Sequence, residues 1–456
     1  MYFDSHAHLD HEPLCNAEED VIRRAREAGV SRIVTIGIDP ESDAKAIEIA
    51  HRHSGIYASI GLHPHKASKC SDDMLASLDR LSRCDKVVGI GETGLDYFRD
   101  RSPRDTQRAA FREQIRLARR RSLPVIIHDR IAHGEILSIL AEENASEVGG
   151  IIHCFSGDYE MARKAVGMNF LISIPGAITY KGSEPQVEAV RKLPLEKLLL
   201  ETDCPFLAPL PHRGKTNEPA FIPLVANKIA EIKGLSAEDV GRVTTLNALR
   251  IYRIPSEEEV RVSYLIRNSL YLNITNRCTN TCVFCAKRED YHVKGHYLKL
   301  PGEPSVEEVV AEVGDPTQFD EVVFCGFGEP LLRLDDVKAI ASELKSKGAK
   351  VRVNTDGLAN LVHGRNILPE LAGLVDALSV SLNAPDSETY ARICPNRYGP
   401  ASFPAILEFL REAPRHVPSV VATAVALPGL DHDAVRLLAD SIEGVSFRLR
   451  PFAEVG

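Results

Sequence analysis

Short apolar runs recur through the first 255 residues, and between most of them apolar positions return every three or four residues. The runs are an opening strand around residues 5–10, then 32–38, 56–62, 87–92, 125–128, 150–153, 170–174 and 198–203. Strand-like runs alternating with helix-like segments predict parallel strands joined by crossover helices. Eight such units in about 250 residues predict an α/β fold of the TIM (β/α)8 barrel type. The pattern breaks at Pro255-Ser256-Glu257-Glu258-Glu259, a short acidic connector, and resumes with a strand at 270–274. We therefore divide the chain into a first domain over 1–254 and a second over 255–456, joined by little intervening chain.

Composition narrows the class. With 44% hydrophobic and 26% charged residues in a chain of 456, a globular protein of two or three domains is expected. The start, Met1-Tyr2-Phe3-Asp4, carries neither a basic segment nor an apolar one, and no later run is long enough to span a bilayer. A cytoplasmic location is expected, without a membrane partner. Residues 1–255 carry 34 basic and 36 acidic side chains and residues 256–456 carry 21 and 28, net −2 and −7. Neither half has the basic excess of a dedicated nucleic-acid binder. Ten cysteines in a reducing compartment suggest metal or redox work where they cluster rather than a disulfide framework.

Candidate chemistry begins at Ser5-His6-Ala7-His8-Leu9-Asp10. Side chains two apart on a strand share a face, so His6 and His8 project together as a pair of possible metal ligands. Later runs end on Glu92, His128, His153 and Asp203. Catalytic groups of such barrels lie at the C-terminal strand ends, so the six residues together predict one metal centre assembled from the whole barrel. Arg104, Arg108, Arg112, Arg116 and Arg120 recur every fourth residue. They could grip phosphates, but barrel helices lie outside, and a solvated outer face is the expected reading. Ser102-Pro103 is a plausible start for that helix.

Residues 1–255 resemble the TatD-family metal-dependent hydrolases, whose members are described as deoxyribonucleases. The resemblance rests on Ser5–Asp10, Gly61-Leu62-His63-Pro64, the stretch from Gly89 to Asp96, His128, His153-Cys154-Phe155-Ser156-Gly157, Glu201-Thr202-Asp203-Cys204-Pro205, Pro211–Lys215 and Asn217-Glu218-Pro219. It implies two divalent ions (Mg, Mn or Zn), one held by His6, His8 and Asp203, the other by His128 and His153, with Glu92 bridging. It makes Asp203, Glu92 and His63 the catalytic set, with Asp203 both a ligand and the base for the attacking water. His63, Arg213 and Lys215 would receive phosphate charge. The family usually has an acidic residue after Arg130, where this chain has Ile131.

The second centre is Cys278-Thr279-Asn280-Thr281-Cys282-Val283-Phe284-Cys285. Three thiolates in one loop can bind three irons of a [4Fe–4S] cluster and leave the fourth open. Structural zinc wants four ligands, and no neighbouring Cys or His completes that set at the usual spacing, although Cys325 could from a distance. From about Tyr271 onward the chain resembles the radical S-adenosylmethionine superfamily, specifically the group associated with TatD-type proteins. Gly326-Phe327-Gly328-Glu329-Pro330, Asn354-Thr355-Asp356-Gly357, Ser379-Val380-Ser381-Leu382-Asn383 and the runs 420–427 and 445–450 fall on successive strand ends of the superfamily's partial (βα)6 barrel. The resemblance implies S-adenosylmethionine on the open iron and an electron donor. It places Phe284 against the adenine, Gly326, Gly328 and Glu329 at the amino group, and Asn354, Ser381 and Asn383 at the ribose or carboxylate. No cysteine pair follows Arg450, so no auxiliary cluster is expected.

These features predict a bifunctional enzyme. A two-metal phosphodiesterase would act on nucleic acid or nucleotides, most simply as an exonuclease on single strands, and a radical enzyme would act on an unnamed substrate. The alternatives are an amide- or ester-cleaving first barrel, such as an aminoacyl-tRNA deacylase, and a scaffold in which one half does no chemistry.

Overall fold

The apolar runs of the first half become eight strands: β1 (Tyr2–Ala7), β2 (Val30–Ile36), β3 (Ile56–Ile60), β4 (Val87–Asp96), β5 (Val125–Arg130), β6 (Gly150–Ile152), β7 (Phe170–Ile174) and β8 (Leu198–Leu200). A computed structural model describes residues 1–255, 260–288 and 290–450 of the chain. It divides into two compact units, Met1–Ser256 and Glu257–Gly456. The acidic part of the expected connector, 256–259, lies outside the described residues.

In the first unit the strands pair in parallel in the order β1 to β8. Closure comes just past β8. The His8 amide donates to the Cys204 carbonyl at 2.8 Å, and the Asp203 amide to the His6 carbonyl at 2.9 Å. The lower lumen is apolar: Phe3, Val34, Ile36, Val88, Ile126, Ile151 and Leu199 meet Leu249, Tyr252 and Ile254 at the end of the helix Ala237–Ile251. That plug leaves the C-terminal mouth as the place where polar side chains can converge.

Two local features differ from the sequence reading. β4 runs on to Asp96, four residues beyond Glu92, because the chain keeps pairing with β5 after a register shift between Ile90 and Thr93. Such an irregularity re-aims side chains, and it falls where Glu92 turns inward. Gly94 has φ +142°, and a Cβ there would meet the His128 carbonyl oxygen at 2.1 Å, so only glycine allows this close approach. Ser102 does not cap the helix Arg104–Arg121, which has no side-chain cap; it is buried and donates its hydroxyl to the His65 carbonyl at 3.1 Å.

The arginine stripe is neither a phosphate grip nor a bare solvated face. Arg108 pairs with Glu135 at 3.3 Å, Arg112 with Glu143 at 2.9 Å and Arg116 with Glu143 at 2.8 Å, linking neighbouring segments outside the barrel. Ile131 is 65% exposed at φ +57°. A β-branched residue in the left-handed region stores about 1 kcal/mol or more. Ile131→Asn should therefore raise the melting temperature by about 2–4 °C, read by calorimetry; an unchanged or lowered value would contradict the strain.

The second unit is an open sheet. Its strands are β9 (Ser263–Ile266), β10 (Ser269–Leu272), a small hairpin of β11 (His292–Val293) and β12 (His296–Tyr297), β13 (Glu321–Phe324), β14 (Val351–Thr355), β15 (Ala377–Ser381), β16 (Ser419–Val425) and β17 (Val445–Arg450). The sheet order is β17-β16-β15-β14-β13-β10-β9. Six strands are parallel, and β9 adds to β10 antiparallel, an edge strand the sequence reading lacks. Leu378, Val420, Ala422 and Ala424 pack beneath the helices, and the opposite face lines the concave side.

Candidate metal centre and cysteine loop

The mouth of the first barrel opens into a cavity of about 900 Å³ lined by His8, His63, Glu92, His128, His153 and Asp203 among others. Backbone register brings the donors there. Asp4 in β1 accepts from the Thr202 amide at 2.9 Å and hydroxyl at 2.6 Å, which locks the segment after β8 to β1. Burial pushes the Asp4 carboxyl up to about 8 against those hydrogen bonds. Asp203 adopts φ +55°, a conformation Asp tolerates better than most residues. His6 and His8 share a face as expected, their Nε2 atoms 3.3 Å apart.

Glu92 stands between two groups of imidazoles. Its Oε2 lies 3.6 Å from His6 Nε2 and 3.7 Å from His8 Nε2. Its Oε1 lies 2.6 Å from His128 Nδ1, 3.5 Å from His63 Nε2 and 3.6 Å from His153 Nε2. Asp203 Oδ1 completes the first group, 3.8 Å from His6 and 3.5 Å from His8, and also lies 4.0 Å from His153. Donor atoms of His6, His8 and Asp203 lie within 4.8 Å of one another, as do those of His63, Glu92 and His128. Nitrogen and carboxylate donors so spaced, buried together, fit divalent cations. The imidazoles hold the carboxylates ionised. Burial works against the Glu92 charge, but His63, His153 and His128 outweigh it and hold it well below the usual range.

Three supporting residues were not singled out from sequence. Glu201 accepts from the Cys154 amide at 2.6 Å and lies 3.1 Å from His153 Nδ1, fixing that ring. Asp96 lies 3.1 Å from His128 Nε2 and 2.9 Å from His65 Nε2. Gln114, reaching from the outer helix, accepts from the Leu62 amide at 2.7 Å and donates to Thr93 Oγ1 at 2.7 Å, tying the loop of His63 to β4. Such carboxylate–imidazole contacts orient ligands, and the Glu201-Thr202-Asp203 and Leu95-Asp96 stretches were the available signal. Arg213 stacks on the Tyr180 ring at 4.4 Å, and neither it nor Lys215 lines the cavity; the basic residues that do are Lys66, Arg99, Arg101, Arg130 and Lys181.

Protonation follows from these contacts. His63 is pushed down to about 4 by burial, and its Nδ1 accepts from the His65 amide at 3.1 Å, which leaves the proton on Nε2 facing the cavity. Burial opposes a charge on His128, yet Asp96 and Glu92 raise it to about 9. His153 is likewise raised to about 10 by Glu201 and Glu92. A cation must displace those protons, so loading near pH 7 should release about two protons, and apparent affinity should rise with pH until about 9–10. Calorimetric titration in two buffers of different ionisation heat reads this; pH-independent binding without proton release would contradict it.

The residues of the first unit match the family described as "TatD related DNase" over residues 3–253, more than half of the chain. The chain belongs to this family. Its relatives include the Bacillus subtilis uncharacterized metal-dependent hydrolase YabD, 46% identical over all of that protein and 56% of this chain. The Mycobacterium tuberculosis uncharacterized metal-dependent hydrolase TatD is 38% identical over 97% of its length and 55% of this chain. The crystal structure of YjjV, a TatD homolog from Escherichia coli K12, superposes with a TM-score of 0.54 at 32% identity, covering 98% of that chain and 56% of this one. These TatD relatives span only the first barrel. Residues 272–442 match the radical SAM superfamily, so the chain is an enzyme of two parts: a metal-dependent hydrolase of the TatD family and a radical SAM domain, a superfamily that implies an iron–sulfur cluster and S-adenosylmethionine. Among the described residues, no helix is long and apolar enough to cross a membrane.

In the second unit of this TatD-family protein, Cys278, Cys282 and Cys285 occupy one loop after β10, with the Cys285 amide donating to the Cys282 carbonyl at 3.2 Å. Cys394, 112 residues beyond Cys282 in sequence, adjoins it: its thiol, ahead of burial, pushes the Cys282 thiol up. Cys325 instead meets Tyr264, whose hydroxyl donates to its carbonyl at 3.0 Å. Glu329 is fully engaged, accepting from the Leu331 amide at 3.0 Å, the Thr355 hydroxyl at 2.9 Å and the Asp356 amide at 2.6 Å; Asp356 in turn accepts from Thr279 inside the cysteine loop. Gly326 and Gly328 are forced by packing, since a Cβ on either would lie 2.1 Å from Asn273 Oδ1 or 2.2 Å from the Thr275 carbonyl oxygen. Phe284 is half-buried against the core. Asn354 accepts from Arg352 at 3.0 Å. Asn383 is buried at φ +58° with its Oδ1 unsatisfied, and Ser381 ends β15 half-buried.

Proposed function

We propose that the first barrel is a two-metal hydrolase of phosphodiester bonds in nucleic acid, acting on single strands. The observation that carries this reading is Glu92, whose two oxygens face separate donor groups, His6/His8 on one side and His128/His153 on the other. In this reading His6, His8 and Asp203 would hold one divalent ion, His128 and His153 would hold the second, and Glu92 would contribute to both. When bound, such a pair lowers the pKa of a shared water and offsets charge on the entering and leaving oxygens.

The chain's own residues supply the rest. Burial opposes the Asp203 charge, but hydrogen bonding to His8 and the nearby His153 and His6 keep it ionised, so it can take the proton of an attacking water. His63, neutral and protonated on Nε2, can donate to a phosphate oxygen. Lys66, Arg99, Arg101, Arg130 and Lys181 can hold neighbouring phosphates of a strand. Turnover of a 3′-labelled single-stranded oligonucleotide, set beside a panel of amides and aminoacyl esters, tests the reading. Cleavage of the oligonucleotide alone supports it, whereas cleavage confined to the aminoacyl esters would replace it with a deacylase.

For the second domain, with the junction near residue 254, we propose that Cys278, Cys282 and Cys285 hold a [4Fe–4S] cluster. Bound S-adenosylmethionine would be surrounded by Phe284, Gly326, Gly328, Asn354, Ser381 and Asn383. Glu329 serves by positioning Thr355 and Asp356. When bound, the cluster, reduced by an external electron donor, would supply the one-electron chemistry that the superfamily uses. The unsatisfied Asn383 Oδ1 supports a ligand at that strand end, since buried polar atoms are ordinarily bonded.

A further inference from the structure

The concave face of the second sheet is unusually polar for parallel strands, which are ordinarily apolar on both faces. Alternation puts Asn354, Ser379, Ser381 and Thr423 on that face, opposite the residues that pack under the helices. Register continues the row to β17, where Thr423 pairs with Arg448 and Val425 with Arg450. Three arginines therefore share the lumen: Arg352, Arg448 and Arg450. Arg352 is neutralised by Glu321 at 2.7 and 3.0 Å.

Among the described residues the other two lack counter-charges. Arg448 donates to the Ser379 hydroxyl at 3.4 Å. The Arg450 Nε is buried with no hydrogen-bond partner, and its guanidinium lies in the field of Arg448 and Arg352, with Cys325 and Tyr271 beside it. Among the described residues neither Arg448 nor Arg450 meets a carboxylate. Leaving the buried Nε of Arg450 unpaired is costly, and with Arg448 on the same face the arrangement fits an anion from outside the described residues. Two arginines on one face of one strand, their Cα positions about 7 Å apart, match a phosphate dianion better than the single charge of a carboxylate.

Resting on the radical reading above, we propose that the lumen is a substrate subsite in which Arg448 and Arg450 grip a phosphate group of the molecule that the radical domain acts on. The other oxyanion that could sit there is the cofactor's own methionyl carboxylate. The two sources make different demands. A substrate phosphate must bind together with S-adenosylmethionine, whereas a cofactor carboxylate excludes the phosphate.

The test uses full-length, anaerobically reconstituted protein, dialysed against a chelator so that the hydrolase barrel holds no divalent ion. Inorganic phosphate is titrated by calorimetry with and without saturating S-adenosylmethionine, in wild type, Arg450→Met and Arg448→Met; Arg448 is exposed, so its variant tests the site even where Arg450→Met perturbs folding. Phosphate should bind the cofactor-loaded protein, and each variant should weaken it about tenfold or more. S-adenosylmethionine affinity and iron content should stay within twofold. Competition between phosphate and S-adenosylmethionine, with the variants weakening the latter, would overturn the proposal in favour of the cofactor's carboxylate. Phosphate binding that is absent, or equal in all three proteins, would also overturn it. Wild-type protein that takes up neither iron nor S-adenosylmethionine would refute the radical reading itself, and the proposal with it.

Discussion

Asp203→Asn should lower hydrolysis by about 10³-fold, roughly 4 kcal/mol in the barrier, while the protein keeps part of its metal. Asparagine tolerates the left-handed backbone that Asp203 adopts at φ +55° and preserves its shape, so the substitution removes charge and basicity with little else. One carboxylate oxygen lies 3.5 Å from His8 and 4.0 Å from His153, on the side of both donor groups. A neutral amide there can still weakly ligate but cannot take a proton from water. Metal content and rate should be measured on the same preparation. Full activity in the variant would remove Asp203 from the mechanism, and complete loss of metal would make it a ligand alone.

Much of this barrel is legible in the sequence because parallel strands covered on both faces read as unbroken Val/Ile/Leu runs. His6 and His8 follow from the period of a strand. Glu92, His128, His153 and Asp203 follow from the ends of later runs. The missing parts are long-range. Nothing near Glu92 signals that β4 continues past it, because that depends on its pairing with β5. Glu201 and Asp96 stand in plain view, but their work is to orient rings that arrive from other strands. The stripe from Arg104 to Arg116 looks like a free cationic face until Glu135 and Glu143 come beside it.

Cys282→Ala is the second large effect. Iron should fall from four atoms per second domain toward none after anaerobic reconstitution, with the visible charge-transfer band and the reductive cleavage of S-adenosylmethionine lost together. Three thiols in one loop are the minimum that holds three irons, so two leave no stable cluster. The neighbouring Cys394 sharpens the experiment. It adjoins Cys282 but hangs from the end of the helix Ser387–Ile393, where Asn383 donates to its sulfur at 3.6 Å. Cys394→Ala should leave the iron count unchanged. Stoichiometric zinc without iron in the wild type, lost in either variant, would make the four thiols a zinc site instead. Here again the three-cysteine spacing is local and readable, whereas Cys394 is brought alongside by the fold.

The central claim is that Glu92 joins two cation sites in one mouth. The most direct measurement is the ratio of non-iron divalent metal to protein across a loading titration of full-length wild type and Glu92→Ala. Two ions per wild-type chain, with both sites weakened and hydrolysis abolished in Glu92→Ala, is the expected result. A single ion per wild-type chain, or an Ala variant that still binds two ions with unchanged affinity, would contradict it.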